Sequence, residues 1–255
     1  LDFKIYALAF EDGPKALANN LSQPHIEKNE KKIGPTIPYV LVYRIIDIET
    51  ENTGSDILKD NKRIISVQIG DADKQELYYD DAKDPQYTFA KAKKQIASLL
   101  SQGNIFSGYN ILDFDVPLLK RFLGVEIPQS NLFDLCQTPR VTEFKNRRLF
   151  SLEQVCGECG IEVTHKRKMN EKAEKYKNRQ DIKDLALMKA KELVNNRGWS
   201  FDFSYDRALN KIAGGNAIYD AYQEFAKSGG QKNTLFYEYA IGDVICEYRL
   251  LKTLK

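Results

Sequence analysis

The sequence predicts an α/β fold, a mixed sheet flanked by helices. Two observations carry that expectation. Three strand-like runs come first, at residues 40–49, 63–70 and 76–79. Beyond them strands and helical patterns alternate, ending in a long helix at about residues 233–253. Strands followed by alternating strands and helices argue a sheet with helices packed on its faces.

Before the first of these runs, Phe3-Lys4-Ile5-Tyr6-Ala7-Leu8-Ala9-Phe10 alternates like a strand and ends in Glu11-Asp12-Gly13-Pro14, which is turn chemistry. A polar stretch then leads to Gly34-Pro35 and Pro38. Residues 1–38 are therefore expected to be an N-terminal extension, with residues 39–255 as the main domain. In that domain the strand at 40–49 gives way to Glu51-Asn52-Thr53-Gly54-Ser55-Asp56, a turn composition. Phe89, Ala92, Ile96, Leu99 and Leu100 recur at helical spacing, so a helix is expected at about 87–102, stopped by Gly103. Residues 104–107 read as a short buried strand and 114–123 as a helix ended by Gly124. Ser151-Leu152-Glu153-Gln154 is a capping pattern that opens another helix. From about 162 to 231 the chain reads as a charged insertion, with a helix at 182–195 and a segment bracketed by Gly214-Gly215 and Gly229-Gly230.

With 255 residues, 42% hydrophobic and 29% charged, the chain is long enough for one sizeable core and too apolar for a disordered polymer. The apolar run at 37–46 is interrupted by Pro38 and Arg44 and falls short of a bilayer span. No basic stretch followed by an apolar block marks a secretory signal, so an intracellular location is expected, in the cytoplasm, nucleoid or nucleus, with no membrane partner. A first residue of Leu1 rather than Met is read as a chain that was trimmed, processed or cut from something larger. Net charge is +2, yet Lys166, Arg167, Lys168, Lys172, Lys175, Lys177, Arg179 and Lys183 crowd one segment. That segment reads either as a solvated helical face or as a surface that tracks phosphates. Cys156-Gly-Glu-Cys159 has metal spacing but no second pair; Cys136 and His165 would have to fold beside it to make a zinc site, and free thiols are the expectation.

Three acidic motifs carry the chemistry. Asp47 and Glu49 are two apart on a strand and so leave the same face. Side by side, each raises the cost of ionising the other, and a cation between them reverses that cost. The pair alone is weak, since Asp-x-Glu arises by chance on the order of once in a chain this acidic, but it ends the most apolar strand. In Tyr109-Asn110-Ile111-Leu112-Asp113-Phe114-Asp115-Val116-Pro117, Pro117 places Asp115 in the first turn of a helix, where capping is the plain alternative role. The preceding Gly108 permits a close backbone approach. Tyr239 and Asp243 are four apart on one helix face. Gly242 between them costs about 1 kcal/mol in a helix, which calls for a compensating close contact.

In this order and on these elements, the motifs resemble the DEDD superfamily of 3′–5′ exonucleases, whose fold is ribonuclease H-like. They are most like the proofreading exonuclease domain of family B DNA polymerases and its stand-alone relatives. Asp47-Ile-Glu-Thr50 matches the first motif, Asn110-Ile-Leu-Asp-Phe114-Asp115-Val-Pro117 the second, and Tyr239-x-x-x-Asp243 the third in its tyrosine form; the histidine form would need His where Glu238 stands. The match covers roughly residues 40–125 and 233–255. The resemblance implies a metal-dependent 3′–5′ exonuclease acting on single-stranded 3′ ends, DNA first and RNA as the alternative substrate. It implies Asp47, Glu49, Asp115 and Asp243 as ligands of two divalent cations, Mg²⁺ or Mn²⁺. It further implies Tyr239 as the residue orienting water, and Thr50, Asn110 and Phe114 as contacts to the terminal nucleotide. A polymerase or other replication or repair proteins are the implied partners. A reading of another class is a nucleic-acid-binding or assembly module of a replication complex with an idle site; the full set of carboxylates disfavours it.

Overall fold

The computed structural model describes residues 41–51, 63–147 and 149–255, within the compact unit Val40–Lys255. The strand expected at 3–10, the turns up to Pro38 and the turn chemistry from Asn52 to Asp56 lie outside the described residues. Five strands form one sheet in the order β3-β2-β1-β4-β5: β1 (Tyr43–Glu51), β2 (Arg63–Gly70), β3 (Gln75–Tyr79), β4 (Ile105–Gly108) and β5 (Leu132–Asp134). The first three are antiparallel neighbours. β4 lies parallel to β1 on its other side, and β5 parallel to β4. The sheet is mixed, as expected, and the strand that carries Asp47 and Glu49 is its centre.

The helices are α1 (Phe89–Ser101), α2 (Asp115–Leu118), α3 (Pro139–Asn146), α4 (Leu152–Glu158), α5 (Lys166–Lys177), α6 (Gln180–Arg197), α7 (Phe201–Lys227) and α8 (Leu235–Leu254). α1 covers one face of the sheet: its Ala92, Ile96 and Leu99 meet Ile46, Ile48 and Phe106. The opposite face takes Ile45, which packs with Val155 of α4 and Val244 and Leu250 of α8. Alternation along β1 thus buries Ile46 and Ile48 under α1 and turns Ile45, Asp47 and Glu49 toward α8. The Ser151 capping box is present, which fixes where α4 begins.

Three elements depart from expectation. The helix at 114–123 is four α-helical residues followed by a wider π turn, Leu119–Leu123, closed by Gly124 in the left-handed region. β5 is three residues long, too short to leave a pattern. α7 runs straight through Gly214-Gly215. Packing on α6 at one end (Ala208, Ile212, Ala213) and on α8 at the other (Ala217, Ala221, Phe225) holds it helical, against about 1 kcal/mol of propensity cost per glycine.

Ile46 is fully buried at the centre of the α1 face. Ile46→Ala is expected to cost about 3 kcal/mol, seen as a lower urea midpoint with an unchanged slope.

Candidate active site

The carboxylates meet where β1 leaves the sheet. Asp47 and Glu49 project toward α8, which answers with Asp243, and an oxygen from each of the three lies within 4.8 Å of the others. A register shift between Glu49 and Thr50 puts a bulge at this point. Such a bulge re-aims the strand end, and bulges gather beside functional sites; Thr50 follows it, opposite Ile64. Tyr239 lies one turn before Asp243 on α8, half-buried.

Asp115 opens α2 and is 4% exposed. It does not cap its helix with its side chain; its Oδ1 accepts the Ile48 N–H at 3.1 Å, between the two strand acids. That bond ties the second motif to the first. Gly108 has the role its small size suggested, since a Cβ there would sit 2.9 Å from the Ile46 carbonyl oxygen. Asn110 turns the chain at φ 68, the only non-glycine residue at positive φ among the described residues. Two carboxylates hold that turn. Asp134 accepts the N–H groups of Asn110 and Leu112 as well as that of Cys136, and Glu247 accepts the N–H of Tyr109 at 3.1 Å. Phe114 is half-buried against the α1-side core. The structure thus brings Asp47, Glu49 and Asp243 into direct proximity, with Asp115 and Tyr239 beside them. Asn110, Phe114 and Thr50 lie on the adjoining turn and strand end.

Electrostatics follow from crowding acids in a desolvated place. Burial first, and then Asp243, pushes Asp47 up to about 8. Glu49 and Asp115 are raised for the same two kinds of reason, with Asp47 as the leading charge against each. Burial and the neighbouring Glu49 and Asp243 raise the Tyr239 phenol well above its usual range. Asp243 is the exception. Burial pushes it up, but the Lys166 charge and the His165 hydrogen bond together hold it below its ordinary value.

These two partners were hidden within the basic stretch. Lys166 Nζ and His165 Nε2 each lie 2.9 Å from Asp243 Oδ1. Burial lowers the His165 pKa, yet the bonds to Asp243 and Cys246 outweigh it and raise the imidazole to about 9. The sequence held one clue in Gly242: a Cβ there would come within 2.2 Å of the His165 ring. The glycine in α8 is the space His165 fills, which is the compensating contact its helix position called for. Glu247, one turn past Asp243, also escaped the motif reading. It is 3% exposed and its Oε2 has no hydrogen-bond partner.

The rest of the basic stretch is largely spent on internal pairs. Lys168 reaches Glu238, Lys172 reaches Asp220 and Glu224, and Lys177 reaches Glu174. The cysteines are free thiols. Cys246 faces Cys156 and lies 3.9 Å from His165 Nδ1. Among the described residues the group able to hold a metal is Asp47, Glu49 and Asp243, and no cysteine joins one.

A hard divalent cation fits this donor set. The donors are carboxylate oxygens, as such cations prefer. Asp47 Oδ2 is shut away from solvent with no hydrogen-bond partner, an acceptor that a bound cation satisfies. Among known proteins, the family model described as the RNase_H superfamily matches residues 45–190. That span contains Asp47, Glu49 and Asp115 and stops before Tyr239 and Asp243. No curated protein matches the chain at a significant level.

Two outcomes follow from this geometry. Asp47 and His165 both bind a proton more tightly when folded, so each contributes stability at low pH that is lost as pH rises. For Asp47 the window runs from its ordinary 3.8 to about 8, and for His165 from 6.5 to about 9. Metal-free protein should therefore lose thermal stability between about pH 4 and pH 9. Asp47→Asn should flatten the curve, and Mg²⁺ or Mn²⁺ should raise the melting temperature more at pH 8 than at pH 6. Gly242→Ala should push His165 off Asp243; an NMR titration would show the imidazole pKa falling from about 9 toward 6.5.

Proposed function

The chain belongs to the RNase_H superfamily, and from that premise we propose that it is a metal-dependent 3′–5′ exonuclease. It removes nucleotides from single-stranded 3′ ends, with DNA as the substrate. The observation that carries this reading is the convergence of Asp47, Glu49 and Asp243 within 4.8 Å, with Asp115 bonded to the backbone between the first two.

Two divalent cations, Mg²⁺ or Mn²⁺, supply an activated water and a Lewis acid for the leaving 3′-oxygen when bound. Asp47, Glu49 and Asp243 would hold them, with Asp115 beside these three as a further carboxylate. Lys166 Nζ sits 2.9 Å from Asp243 Oδ1, so its ammonium serves as the counterion of the metal-free site. Tyr239 orients the attacking water. Its phenol is held neutral by burial and the acids around it, so it directs a hydrogen bond instead of taking the proton. Asn110, on the turn pinned by Asp134 and Glu247, hydrogen-bonds the terminal nucleotide; Phe114 stacks on its base, and Thr50 adds a backbone contact at the strand end. A polymerase or other replication or repair proteins are the partners such an activity serves.

The test is end-labelled single-stranded DNA and RNA of matched sequence, incubated with Mg²⁺ or Mn²⁺ and with chelator. DNA shortened stepwise from its 3′ end, only with metal, is the expected result. Internal cuts, or shortening from the 5′ end, would overturn it; shortening of RNA alone would move the substrate to RNA, and tight binding without cleavage would favour the assembly module. Asp47→Ala or Asp115→Ala should reduce the rate about a hundredfold or more while the protein stays folded. Tyr239→Phe should slow cleavage at least about tenfold with strand binding unchanged, because the hydroxyl acts on the transition state.

A further inference from the structure

α6 and α7 form a hairpin whose far end carries an exposed aromatic cluster that the acid site does not use. The C-terminal half of α7 sits at the edge of the sheet, where Phe225 packs on Tyr79 and Tyr222 bonds Asp81. Toward its N-terminus the helix passes Arg63, which feels the Tyr219 phenol and pairs with Glu51 at the end of β1. Residue by residue, α7 thus moves in the direction in which β1 delivers its acids, and it continues beyond the sheet. The last sixteen residues of this path, back to Phe201, pack on α6 through Ala186, Ala208 and Ile212. At 1.5 Å per residue they span roughly 24 Å. The superfamily match ends at residue 190, before α7 begins.

The tip has the composition of a surface that takes flat, unpaired rings. Trp199 lies in the connecting turn and meets Phe203 edge-on at 5.3 Å between centroids. Arg197 and Arg207 place their guanidinium carbons 5.6 and 5.5 Å from the Trp199 ring centroid. Phe201 and Phe203 are 44% and 53% exposed. Phe203, Arg207 and Lys211 recur at four-residue spacing along one helix face and line an open depression with Asp206 and Asn210. Exposed apolar rings suit a partner that excludes water, and the guanidinium groups among them suit one that also carries phosphate.

We propose that this tip is a second binding site, a stacking platform for unpaired nucleotides of the strand whose 3′ end enters the acid site. The proposal rests on the exonuclease reading for the identity of the strand. Along that strand, the terminal nucleotide is held by the pocket, and nucleotides further toward the 5′ side stack on Trp199 and Phe203 while Arg197 and Arg207 neutralise their phosphates. Binding at two points raises the effective concentration of the end at the acids, which an anionic pocket needs.

Trp199 is the single tryptophan of the chain, so its fluorescence reports on the tip alone. With chelator present, long single-stranded DNA should quench it, whereas a blunt duplex of the same sequence should not. Anisotropy of a labelled long oligonucleotide should show binding weakened about tenfold by Trp199→Ala and largely retained by Trp199→Phe. Arg207→Gln should shallow the salt dependence by about 0.7 in slope, and it serves as the second variant if Trp199→Ala lowers the melting temperature. Absence of quenching by a strand that the metal-loaded protein still shortens would overturn the platform and leave the exonuclease reading intact. Quenching without cleavage under any metal would sustain the platform as a strand-binding site and overturn the exonuclease reading. A Trp199 signal that changes with protein concentration alone would overturn the platform and assign the tip to contact between copies.

Discussion

Mutual repulsion among carboxylates at the end of β1 is the constraint around which the rest of the molecule is arranged. Asp47, Glu49, Asp115, Asp243 and Glu247 lie in one desolvated region, and each of the first three is raised chiefly by burial and by its acidic neighbours. A carboxylate removed from water without a partner is expensive, and the fold meets the cost in specific ways. Ile48 lends a backbone N–H to Asp115, Tyr109 lends one to Glu247, and Lys166 and His165 converge on Asp243. What these bonds leave unmet, notably Asp47 Oδ2, is what a divalent cation satisfies. The metal-free protein therefore stores strain at the site that carries the chemistry, a common placement for local instability.

Rigidity around that strain comes from close approaches more than from bulk. Gly108 lets the second motif turn against the Ile46 carbonyl, and Gly242 lets His165 lie on α8. Asp134 is itself a buried carboxylate, 6% exposed, yet it is satisfied by three backbone donors. It organises the turn bearing Asn110 from a strand only three residues long. Two acids of the region, Asp134 and Glu247, thus act on backbone, Asp115 accepts the Ile48 N–H, and Asp47, Glu49 and Asp243 face the space where a cation fits. No helix among the described residues is long and apolar enough to cross a membrane.

The charged insertion divides its labour. Its beginning, His165 and Lys166, turns inward to Asp243, while in α5 Lys168 ties the insertion to α8 and Lys172 ties α5 to α7 within the insertion. Its far end sets Arg197 and Arg207 against a half-buried Trp199 beside the exposed rings of Phe201 and Phe203. A run of lysines read from sequence as one surface is therefore several different things in space, because on a helix residues three or four apart share a face and their neighbours do not.

The sequence by itself determined the sheet, the helices with strong apolar periodicity, and the order of the acidic motifs. Period-two burial on β1 put Ile46 and Ile48 on one face and Asp47 and Glu49 on the other, and the spacing of Tyr239 and Asp243 put both on one face of α8. These are local rules, legible in any window of the chain. Tertiary structure alone decided which groups neutralise the acids. His165 and Asp243 are separated by 78 residues and Tyr109 and Glu247 by 138, and no periodicity encodes which lysine of a run folds inward. It decided as well that Gly214-Gly215 stays helical and that β5 exists, because contacts from distant elements outweighed weak local propensity there. Of the site, the clustered acids Asp47, Glu49 and Asp243 were legible, whereas Glu247 and the counterions His165 and Lys166 were not, because short motifs show in a local window and a group that arrives from a distant element does not.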